Sequence, residues 1–307
     1  MPIAGVINTG SHPKFLWPGI HDIWGRFYNE HPEEFPMLFG AMHKSTMNYE
    51  EEPQIIGFGL MPVKPEGSAT QYVSEVQGPV ARYTHLTYSM GYIVTKEELE
   101  DDLYEKVSGS RARSLAFSAR QTEENVCANI YNRGFNSSFV GPDGVSLFNT
   151  AHPNTSGGTF SNMLAVGADL SEASLEDLVV QIMGATDDVG NLISLMPKRL
   201  LVPRQEVFNA ARILKSVGQS GTANNDINAL KAANAIPEGA HVNHYFTAPH
   251  AWFILTNCPN GVQRFDRVAI SFTQDNDFDT DNAKAKNRMR YSVGWSDSRG
   301  AFGSNGP

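Results

Sequence analysis

Hydrophobic and polar positions follow clear periods in the centre of the chain. LSEASLEDLVVQIM places an apolar residue every three or four positions, which predicts an amphipathic helix with Ser174 as its N-cap and Asp177 three residues on. MPKRLLVP predicts a buried strand that ends at Pro203, and QEVFNAARILKS predicts a second helix. The residues predicted to face inward on the two helices are Leu175, Leu178, Val179, Ile182 and Met183, then Val207, Ala210, Ala211 and Leu214.

The segment GPDGVSLFNTAHP, which precedes these elements, has the composition of a tight turn followed by a docked apolar pair. Pro-Asp-Gly favours a turn in which Gly144 has a positive φ. Leu147 and Phe148 are the apolar pair, and a polar loop follows His152 and Pro153.

A long helix is predicted between Thr95 and Gly134. Thr95 with Glu98 has the spacing of a capping box, and Gly134 has the position of a helix stop. Gly109, between two serines, predicts a bend. The predicted apolar side consists of Leu99, Leu103, Val107, Leu115, Val126 and Ile130.

The region before this helix predicts a long hairpin. One strand is expected through 54–61, and the second through 70–76, resuming in the alternating stretch 83–93. The tip, 62–69, is polar and rich in Pro and Gly, with little apolar surface of its own. A hairpin of this kind is marginal in isolation, so we expect another surface to cover it.

The two ends of the chain have different patterns. Residues 1–44 are rich in Pro and aromatic residues and predict only a short helix, 22–29, so their aromatics should be buried against something else. Beyond the centre, a short helix is predicted over 227–233 and strands over 241–246 and 251–255. Two more strands are predicted around an acidic loop, followed by a Gly-rich tail.

The ordered set of elements resembles the major capsid (coat) protein of tailed bacteriophages, a fold shared with herpesvirus capsid proteins. Phage capsid sequences often close with an Arg-x-Arg-Tyr strand, a Gly, an Asp-x-Arg-Gly turn and Gly-Ser. The corresponding residues of this chain are Arg288, Arg290, Tyr291, Gly294, Asp297, Arg299, Gly300, Gly303 and Ser304.

The resemblance implies an α+β fold with four parts. These are an N-terminal arm (1–44), an extended hairpin loop (45–95), a peripheral domain with the spine helix (96–165 and 264–307) and an axial domain (166–263). It also implies intersubunit contacts at the hairpin tip and the arm. The residues that we expect to make them are Trp17, Trp24, Lys64, Pro65 and Glu66.

The implied function is that of a subunit of an icosahedral phage head, which assembles in the host cytoplasm as hexamers and pentamers and encloses double-stranded DNA. The implied partners are other copies of the chain, a separate scaffolding protein, a portal and decoration proteins. Because the aromatic arm begins almost at Met1, we expect no sizeable propeptide.

Composition agrees with this interpretation and limits the alternatives. A net charge of −9 and a pI near 5.5 argue against strong sequence-independent binding to phosphates, so we expect only weak, non-specific contact with DNA. No apolar run has the length of a membrane span, and the N-terminus does not have a signal-peptide pattern. The two cysteines, Cys127 and Cys258, form no disulfide framework, which favours a reducing compartment.

No residues predict a catalytic, cofactor or metal site. Cys127 lies in mid-helix as a small buried hydrophobe, and Cys258 has no neighbour that would lower its pKa. His241 and His244 should point to opposite faces of a strand. The acidic stretch 275–282 does not match the EF-hand pattern. The carboxylates at Glu176, Asp177, Asp187 and Asp188 are expected on a helical surface.

Two other functions remain open at this point. One is a different component of the virion head, such as a decoration or scaffolding protein. The other is a cytoplasmic α+β enzyme without a recognisable motif, because a polar pocket can be built from residues that form no readable pattern.

Overall fold

The computed structural model of the chain describes residues 17–95, 97, 104–218, 226–277 and 282–306. Within these ranges, the structure contains five α-helices and twelve strands with defined bounds. The helices are α1 (Trp17–Glu30), α2 (Tyr104–Asn132), α3 (Glu172–Met183), α4 (Val207–Lys215) and α5 (Ala229–Ala232). The α+β class predicted from the sequence is therefore confirmed.

The strands form two four-stranded sheets and two short pairs. Their bounds are β1 (Ala41–Lys44), β2 (Tyr49–Ile56), β3 (Val76–Thr84), β4 (Leu86–Val94), β5 (His152–Pro153), β6 (Thr159–Phe160), β7 (Pro197–Pro203), β8 (Ala240–Asn243), β9 (Trp252–Thr256), β10 (Val262–Asn276), β11 (Ala283–Trp295) and β12 (Ala301–Ser304). The chain divides into two compact units, and the division falls within α2, β10 and β11.

The first unit contains residues up to Glu33, 85–125 and 266–291. Its sheet places β11 between β10 and β4, and β11 is antiparallel to β4, with Lys286 opposite Gly91. Its core is mostly small and aromatic, and α1 contributes two of its aromatic rings. The core residues are Trp24, Tyr28, Ala112, Leu115, Ala116, Ala119, Phe272 and Ala285.

An ionic cluster around the buried Arg120 joins α1 to α2 in the first unit. Arg120 is almost fully buried, and its Nη1 lies 2.9 Å from Glu33 Oε1 and 3.2 Å from Glu123 Oε2. Tyr28 donates its hydroxyl to Glu123, 2.8 Å away, and its ring lies under the guanidinium. Burial, followed by the charge of Glu123, raises the pKa of Tyr28, so this hydroxyl stays protonated and donates.

The buried face of α2 differs from the predicted one. Leu115 is buried as expected, but Val126 and Ile130 are only half-buried, while Cys127 and Tyr131 have no exposed surface. The inward face was predicted from the large aliphatic residues of the helix. Much of its buried face consists instead of alanines, which allow neighbouring elements to approach closely. The other predicted positions, Leu99, Leu103 and Val107, lie outside the described side chains, as does Glu98 of the predicted capping box. The helix is continuous through Gly109.

The second unit contains residues 34–84, 126–265 and 292–307. Its sheet has the strand order β12-β9-β7-β8, in which β7 is parallel to β8 and antiparallel to β9. Five consecutive residues of β9 are buried, and α3 and α4 pack against the sheet. The core includes Leu175, Leu178, Ile182, Leu200, Val202, Trp252, Ile254 and Phe302.

Three local predictions in this unit are corrected. Helix α3 begins after Ser171, not Ser174, and the two serines form a reciprocal capping box in which Ser174 is the N3 residue. Ser174 takes that position because its buried hydroxyl also donates to the Asp169 carbonyl oxygen, 2.7 Å away. Met183 ends α3 and is exposed. The Gly-rich tail contains β12, a fully buried strand that pairs with β9.

Glycine is required at Gly144 and at Gly134 for different physical reasons. Gly144 has φ +82°, as its turn requires. Gly134 does follow the end of α2, but its φ is not positive. Its role is close packing, because a Cβ at Gly134 would lie 2.6 Å from the ring of Phe148. Phe148 itself is buried with Leu147, which confirms the docking predicted for this pair.

Candidate assembly surface

The hairpin predicted between Ser45 and Thr95 is present, but its strands are displaced from the predicted bounds. β2 and β3 pair antiparallel from Tyr49 opposite Thr84 to Ile56 opposite Val76, with an irregularity near Pro53. Residues 57–75, which the sequence analysis had assigned partly to strands, contain no strand and form one long loop. The alternating stretch 83–93 belongs to two strands, because β3 ends at Thr84 and β4 begins at Leu86.

The loop 57–75 carries large apolar side chains on both flanks of its tip. Met61 is 97%, Val63 93% and Tyr72 92% exposed, and Phe58 and Leu60 are also exposed. The sequence analysis expected little apolar surface here, because it considered the Pro- and Gly-rich tip without its flanks. A continuous apolar segment of this kind on a protein surface marks an interaction site.

The tip closes on itself and leaves its charged side chains in solvent. The Ser68 hydroxyl donates to the Pro65 carbonyl oxygen at 2.7 Å, and the Ser68 N–H donates to the same oxygen at 3.2 Å. Gly67 has φ +76°, which suits a glycine. Lys64, Pro65 and Glu66 are exposed, as a contact surface requires.

The base of the hairpin is held firmly within the second unit. Glu52 accepts hydrogen bonds from the Ser296 hydroxyl at 2.5 Å and from the Gln263 amide at 3.0 Å. The Tyr83 hydroxyl lies 2.6 Å from Ser296, and its ring packs on Phe265 with centroids 4.7 Å apart. Burial raises the pKa of Tyr83, so its hydroxyl remains neutral. The structure thus combines a fixed base with an exposed loop.

The arm residues predicted to anchor a neighbour lie at the start of the described chain. Trp17 begins α1. Trp24 is 6% exposed and stacks between Tyr28 and Phe272, with ring centroids 5.2 and 5.3 Å away. Trp24 therefore anchors α1 within its own chain, and an additional intersubunit contact of this residue stays a prediction.

A cleft of about 480 Å³ lies beside the hairpin base in the second unit. Asp188 lines it, and this residue corrects the prediction of a helical surface carboxylate, because α3 ends at Met183 and Asp188 is buried. Its carboxylate accepts from Arg299 Nη2 at 3.1 Å and from Gln54 Nε2 at 2.7 Å. The neighbouring Asp187 accepts backbone hydrogen bonds in a tight turn; burial acts to raise its pKa, but these bonds lower it overall.

Arg299 organises the buried side of this cleft. Its Nε donates to the Thr186 carbonyl oxygen at 2.8 Å, its Nη2 donates to Asn154 at 3.0 Å, and its guanidinium lies 4.1 Å from the centroid of the Phe160 ring. Arg299 belongs to the Asp-x-Arg-Gly turn, which Asp297 caps by accepting from the Arg299 N–H at 2.9 Å. These hydrogen bonds join the loops that line the cleft to one another.

His152 occupies a second polar network of the same unit. It is fully buried, with its Nδ1 2.6 Å from Asp143 and its Nε2 3.1 Å from Asn162 Oδ1. The Asn162 amide nitrogen lies within 3.1 Å of three backbone carbonyl oxygens, those of Leu147, Ser298 and Ala301, and its two N–H groups are shared among them. The arrangement resembles a catalytic constellation in its residue types, and its bonds hold the turn of Gly144 against β12.

Cys127 lies where the sequence analysis expected it, whereas Cys258, contrary to expectation, has a basic neighbour, Arg299. Cys127 is fully buried in α2. Burial, followed by the charge of Asp297, raises the pKa of the Cys258 thiol to about 12. A thiol with that pKa has almost no thiolate at neutral pH, so Cys258 is not an activated nucleophile. Cys127 has no exposed surface.

We expect both cysteines to resist alkylation in the native protein. At pH 8, which lies far below the pKa of Cys258, iodoacetamide should leave the intact mass unchanged during an incubation that fully alkylates a free thiol. After denaturation, both residues should react. The variant Cys127→Ser isolates Cys258 and serves as the control. Rapid, stoichiometric alkylation of that variant in its native state would contradict the assigned environment.

The histidines considered as metal ligands do not converge. His241 lies in β8, whereas His244 lies beyond its end, where its Nδ1 contacts Glu34 at 2.5 Å. His250 contacts Glu206 at 3.3 Å. No group of three or more potential metal ligands occurs among the residues that the structure describes. Within the same ranges, none of the helices is both long and apolar enough to cross a membrane.

Comparisons with known proteins agree with this architecture. The family model described as phage capsid protein matches residues 80–303. The virus-like particle from Pyrococcus furiosus has a similar fold, with a TM-score of 0.53, 12% identity and coverage of 94% of this chain and 98% of that chain. A chain of Mycobacterium phage Patience gives a TM-score of 0.51, with 12% identity and coverage of 98% and 89%. A chain of Microbacterium phage Oxtober96 gives 0.51, with 10% identity and coverage of 89% and 91%. No curated protein sequence matches this chain.

The structure combines a long helix on a sheet with a hairpin that has a fixed base and an exposed apolar loop. The matched region includes most of β3, all of α2 and both sheets' central strands. The chain belongs to the phage capsid protein family. It is a structural subunit of the phage head shell, and its location is the virion capsid.

Proposed function

We propose that this protein builds an icosahedral head as hexamers and pentamers, and that the head encloses double-stranded DNA. The observation that carries the proposal is the match of the family model across residues 80–303. The exposed apolar loop 57–75 supports it, because such a surface needs a partner and every position of a closed shell supplies another copy of the chain.

We assign four parts to the subunit. Residues 1–44 form an arm, 45–95 the hairpin with its loop, 96–165 and 264–307 the peripheral domain, and 166–263 the axial domain. The firm base of the hairpin at Glu52 and Tyr83 supports this division, because it allows the loop to reach a neighbour without distorting the body. Quasi-equivalent positions in a shell require this combination of a rigid body and reaching elements.

The contacts proposed for the reaching elements lie in the loop 57–75 and in the arm. Lys64, Pro65 and Glu66 at the loop tip contact an adjacent subunit, and the apolar flanks, such as Met61 and Tyr72, provide the buried area. Trp17 and Trp24 anchor the arm. The exposure of the tip and of its flanks supports the first assignment.

The partners that we propose beyond the chain itself are a separate scaffolding protein, a portal and decoration proteins, with assembly in the host cytoplasm. Packaged DNA is contacted weakly and without sequence preference, because the chain has a net charge of −9. We infer a role that is not enzymatic. The Asp188 and His152 networks support this inference, because their side chains form hydrogen bonds within the chain.

Negative-stain microscopy of the purified protein, alone and with the scaffolding protein of its phage, tests the proposal. The expected result is closed shells together with free hexamers and pentamers. A compact monomer or dimer under every condition, stabilised by a small-molecule ligand, would instead favour the enzyme alternative.

Limited proteolysis should cut the loop 57–75 in the unassembled subunit, and assembly should protect the loop. We expect the first cuts in the unassembled protein to fall within 57–75, because this segment has no strand pairing and its side chains are exposed. In shells, these cuts should be slower by at least about ten-fold, since cleavage requires a locally opened backbone. Mass spectrometry of the fragments locates the cuts. Equal cleavage rates in subunits and shells would show that the loop stays uncovered.

A further inference from the structure

The imidazole of His152 is fully buried, and both of its ring nitrogens face hydrogen-bond acceptors. Its Nδ1 lies 2.6 Å from Asp143 Oδ2, and its Nε2 lies 3.1 Å from Asn162 Oδ1. A neutral imidazole has one N–H donor and one nitrogen that can only accept. A neutral ring beside an ionised carboxylate would therefore turn a lone pair toward an oxygen on one of its two sides.

The orientation of the Asn162 amide is fixed by its other neighbours. Its nitrogen faces three backbone carbonyl oxygens, which belong to Leu147, Ser298 and Ala301. Its Oδ1 accepts from the Asn149 N–H at 2.9 Å. Rotation of the amide by half a turn would place N–H groups against an N–H and an oxygen against three oxygens. The atom opposite the histidine Nε2 is therefore an acceptor, and Nε2 must donate.

The atom opposite Nδ1 belongs to a carboxyl group. Asp143 Oδ1 accepts from the Val145 N–H at 3.3 Å, while Oδ2 faces His152. An ionised carboxylate can only accept. Both sides of the ring are satisfied together only if the pair of Asp143 and His152 holds one proton more than an ionised acid beside a neutral base. That proton lies either on the ring, as an imidazolium, or on the carboxyl group, which then donates to Nδ1.

The charged groups around the imidazole are compatible with this extra proton. Asp143 contacts the imidazole directly and balances its charge when it is an imidazolium. The imidazole stacks on Phe160 with centroids 4.9 Å apart, and the Arg299 guanidinium lies 4.1 Å from the centroid of the same Phe160 ring. That guanidinium has its own carboxylates, Asp188 at 3.1 Å and Asp297 at 3.4 Å. The two cations therefore do not share a counter-ion.

We propose that Asp143, His152 and Asn162 form a proton-dependent latch, which holds the turn of Gly144 to β12 while the acid–base pair keeps its extra proton. Loss of that proton to solvent turns a lone pair toward an acceptor and opens one of the two hydrogen bonds of the ring. The inference does not rest on the proposed shell, because every contact of the latch lies within the second unit.

The latch makes the stability of the subunit depend on pH in one direction. In an unfolded chain, an imidazole loses its second proton at about pH 6.5. Above that pH, the folded subunit holds one proton more than the unfolded chain, so the contribution of the latch falls as the pH rises. Below that pH, the contribution is complete. One proton of difference changes the unfolding equilibrium constant by up to about ten-fold for each pH unit.

The variant Asp143→Asn tests the latch, because it removes the need for the extra proton. The new amide can donate to a neutral Nδ1 and still accept from the Val145 N–H, while Nε2 donates to Asn162. We expect the wild-type unfolding equilibrium constant to rise from about pH 7 to pH 9 more steeply than that of the variant, by up to about ten-fold per pH unit. Urea unfolding of the unassembled subunit measures both profiles.

A matched variant and a direct measurement complete the test. Asp177→Asn changes an exposed aspartate of α3 and should keep the wild-type profile. Nuclear magnetic resonance of the labelled wild-type subunit at pH 7.5, where a free imidazole is mostly neutral, should show either an imidazolium at His152 or a protonated Asp143. His152→Gln identifies the histidine signals by their loss.

Two results would overturn the inference. One is the same pH profile for Asp143→Asn and the wild type. The other is a neutral His152 beside an ionised Asp143 in the wild-type spectrum at pH 7.5. If Asp143→Asn does not fold, the wild-type spectrum alone decides, because it needs no variant with a changed carboxyl group.

Discussion

Deletion of Lys64–Ser68 should weaken shell formation by at least about ten-fold and leave the subunit folded. These five residues form a turn that closes through Ser68 and Pro65, and the tip makes its described hydrogen bonds within itself. Shortening such a loop changes closure entropy little, so the free energy of unfolding should change by less than about 0.5 kcal/mol. Assembly, in contrast, loses the tip and brings the apolar flanks around Met61 and Tyr72 out of register with their receiving surface.

The measurement is the subunit concentration at which shells appear, followed by light scattering and microscopy. We expect an increase of at least about ten-fold, which corresponds to about 1.4 kcal/mol for each subunit. A matched control replaces the same five residues with Gly and Ser and keeps the length of the loop. If that control assembles and the deletion does not, reach matters more than side-chain chemistry. Normal, equally stable shells from the deletion variant would remove the loop from the assembly surface.

A second control addresses the apolar flanks separately from the tip. Met61→Ser with Tyr72→Ser keeps the loop length, and both side chains are almost fully exposed in the subunit, so its stability should not change. Weaker assembly of this variant would show that the flanks bury area against a neighbour. Unchanged assembly would assign the contact to the tip alone.

The sequence was sufficient for the elements whose pattern is local. The inward residues of α3 and the strand β7 follow from period and run length, and the positive φ of Gly144 follows from turn chemistry. The hairpin was expected in the right region, but its strands were placed too close to the tip. Strand β2 includes Pro53, which lies at an irregularity of the pairing. The apolar residues after Ile56, which were assigned to a strand, are exposed in a loop.

Features that depend on distant partners could not be predicted. β12 is short and contains glycine and serine, and only its pairing with β9 and the burial of Phe302 make it a strand. Arg120 is polar and therefore does not contribute to an apolar period, yet it is buried because Glu33 and Glu123 surround it. The alternation of charged residues along β11 is visible in the sequence. Which residues of β4 lie opposite them can be known only from the register of the two strands.

The burial of Asp188 illustrates the same limit at the candidate site. Its partner, Arg299, lies 111 residues further along the chain, and no spacing rule connects the two. The resemblance placed Arg299 in a terminal Asp-x-Arg-Gly turn, and the structure adds that this turn is tied to the loops of Thr186 and Asn154. We therefore expect this turn to stabilise the second unit, and the contribution can be measured.

Arg299→Met should destabilise the unassembled subunit by about 3–5 kcal/mol, because it leaves the carboxylate of Asp188 buried without its cation. The Thr186 carbonyl oxygen and the Asn154 side chain also lose a donor, and the Phe160 ring loses the guanidinium above it. The shift of the urea midpoint, followed by tryptophan fluorescence, measures the loss.

Two further variants distinguish the buried pair from a general effect of removing arginine. Arg212→Met changes an exposed arginine of α4 and should shift stability by less than about 0.5 kcal/mol. Arg299→Met combined with Asp188→Leu removes both charges, and the double variant should recover part of the stability, because the cost of a broken buried pair comes mostly from the charge left behind. A double variant that is less stable than Arg299→Met alone would show that Asp188 stabilises the fold through Gln54 rather than through the arginine. A wild-type urea midpoint for Arg299→Met would show that this network does not hold the loops of the second unit together.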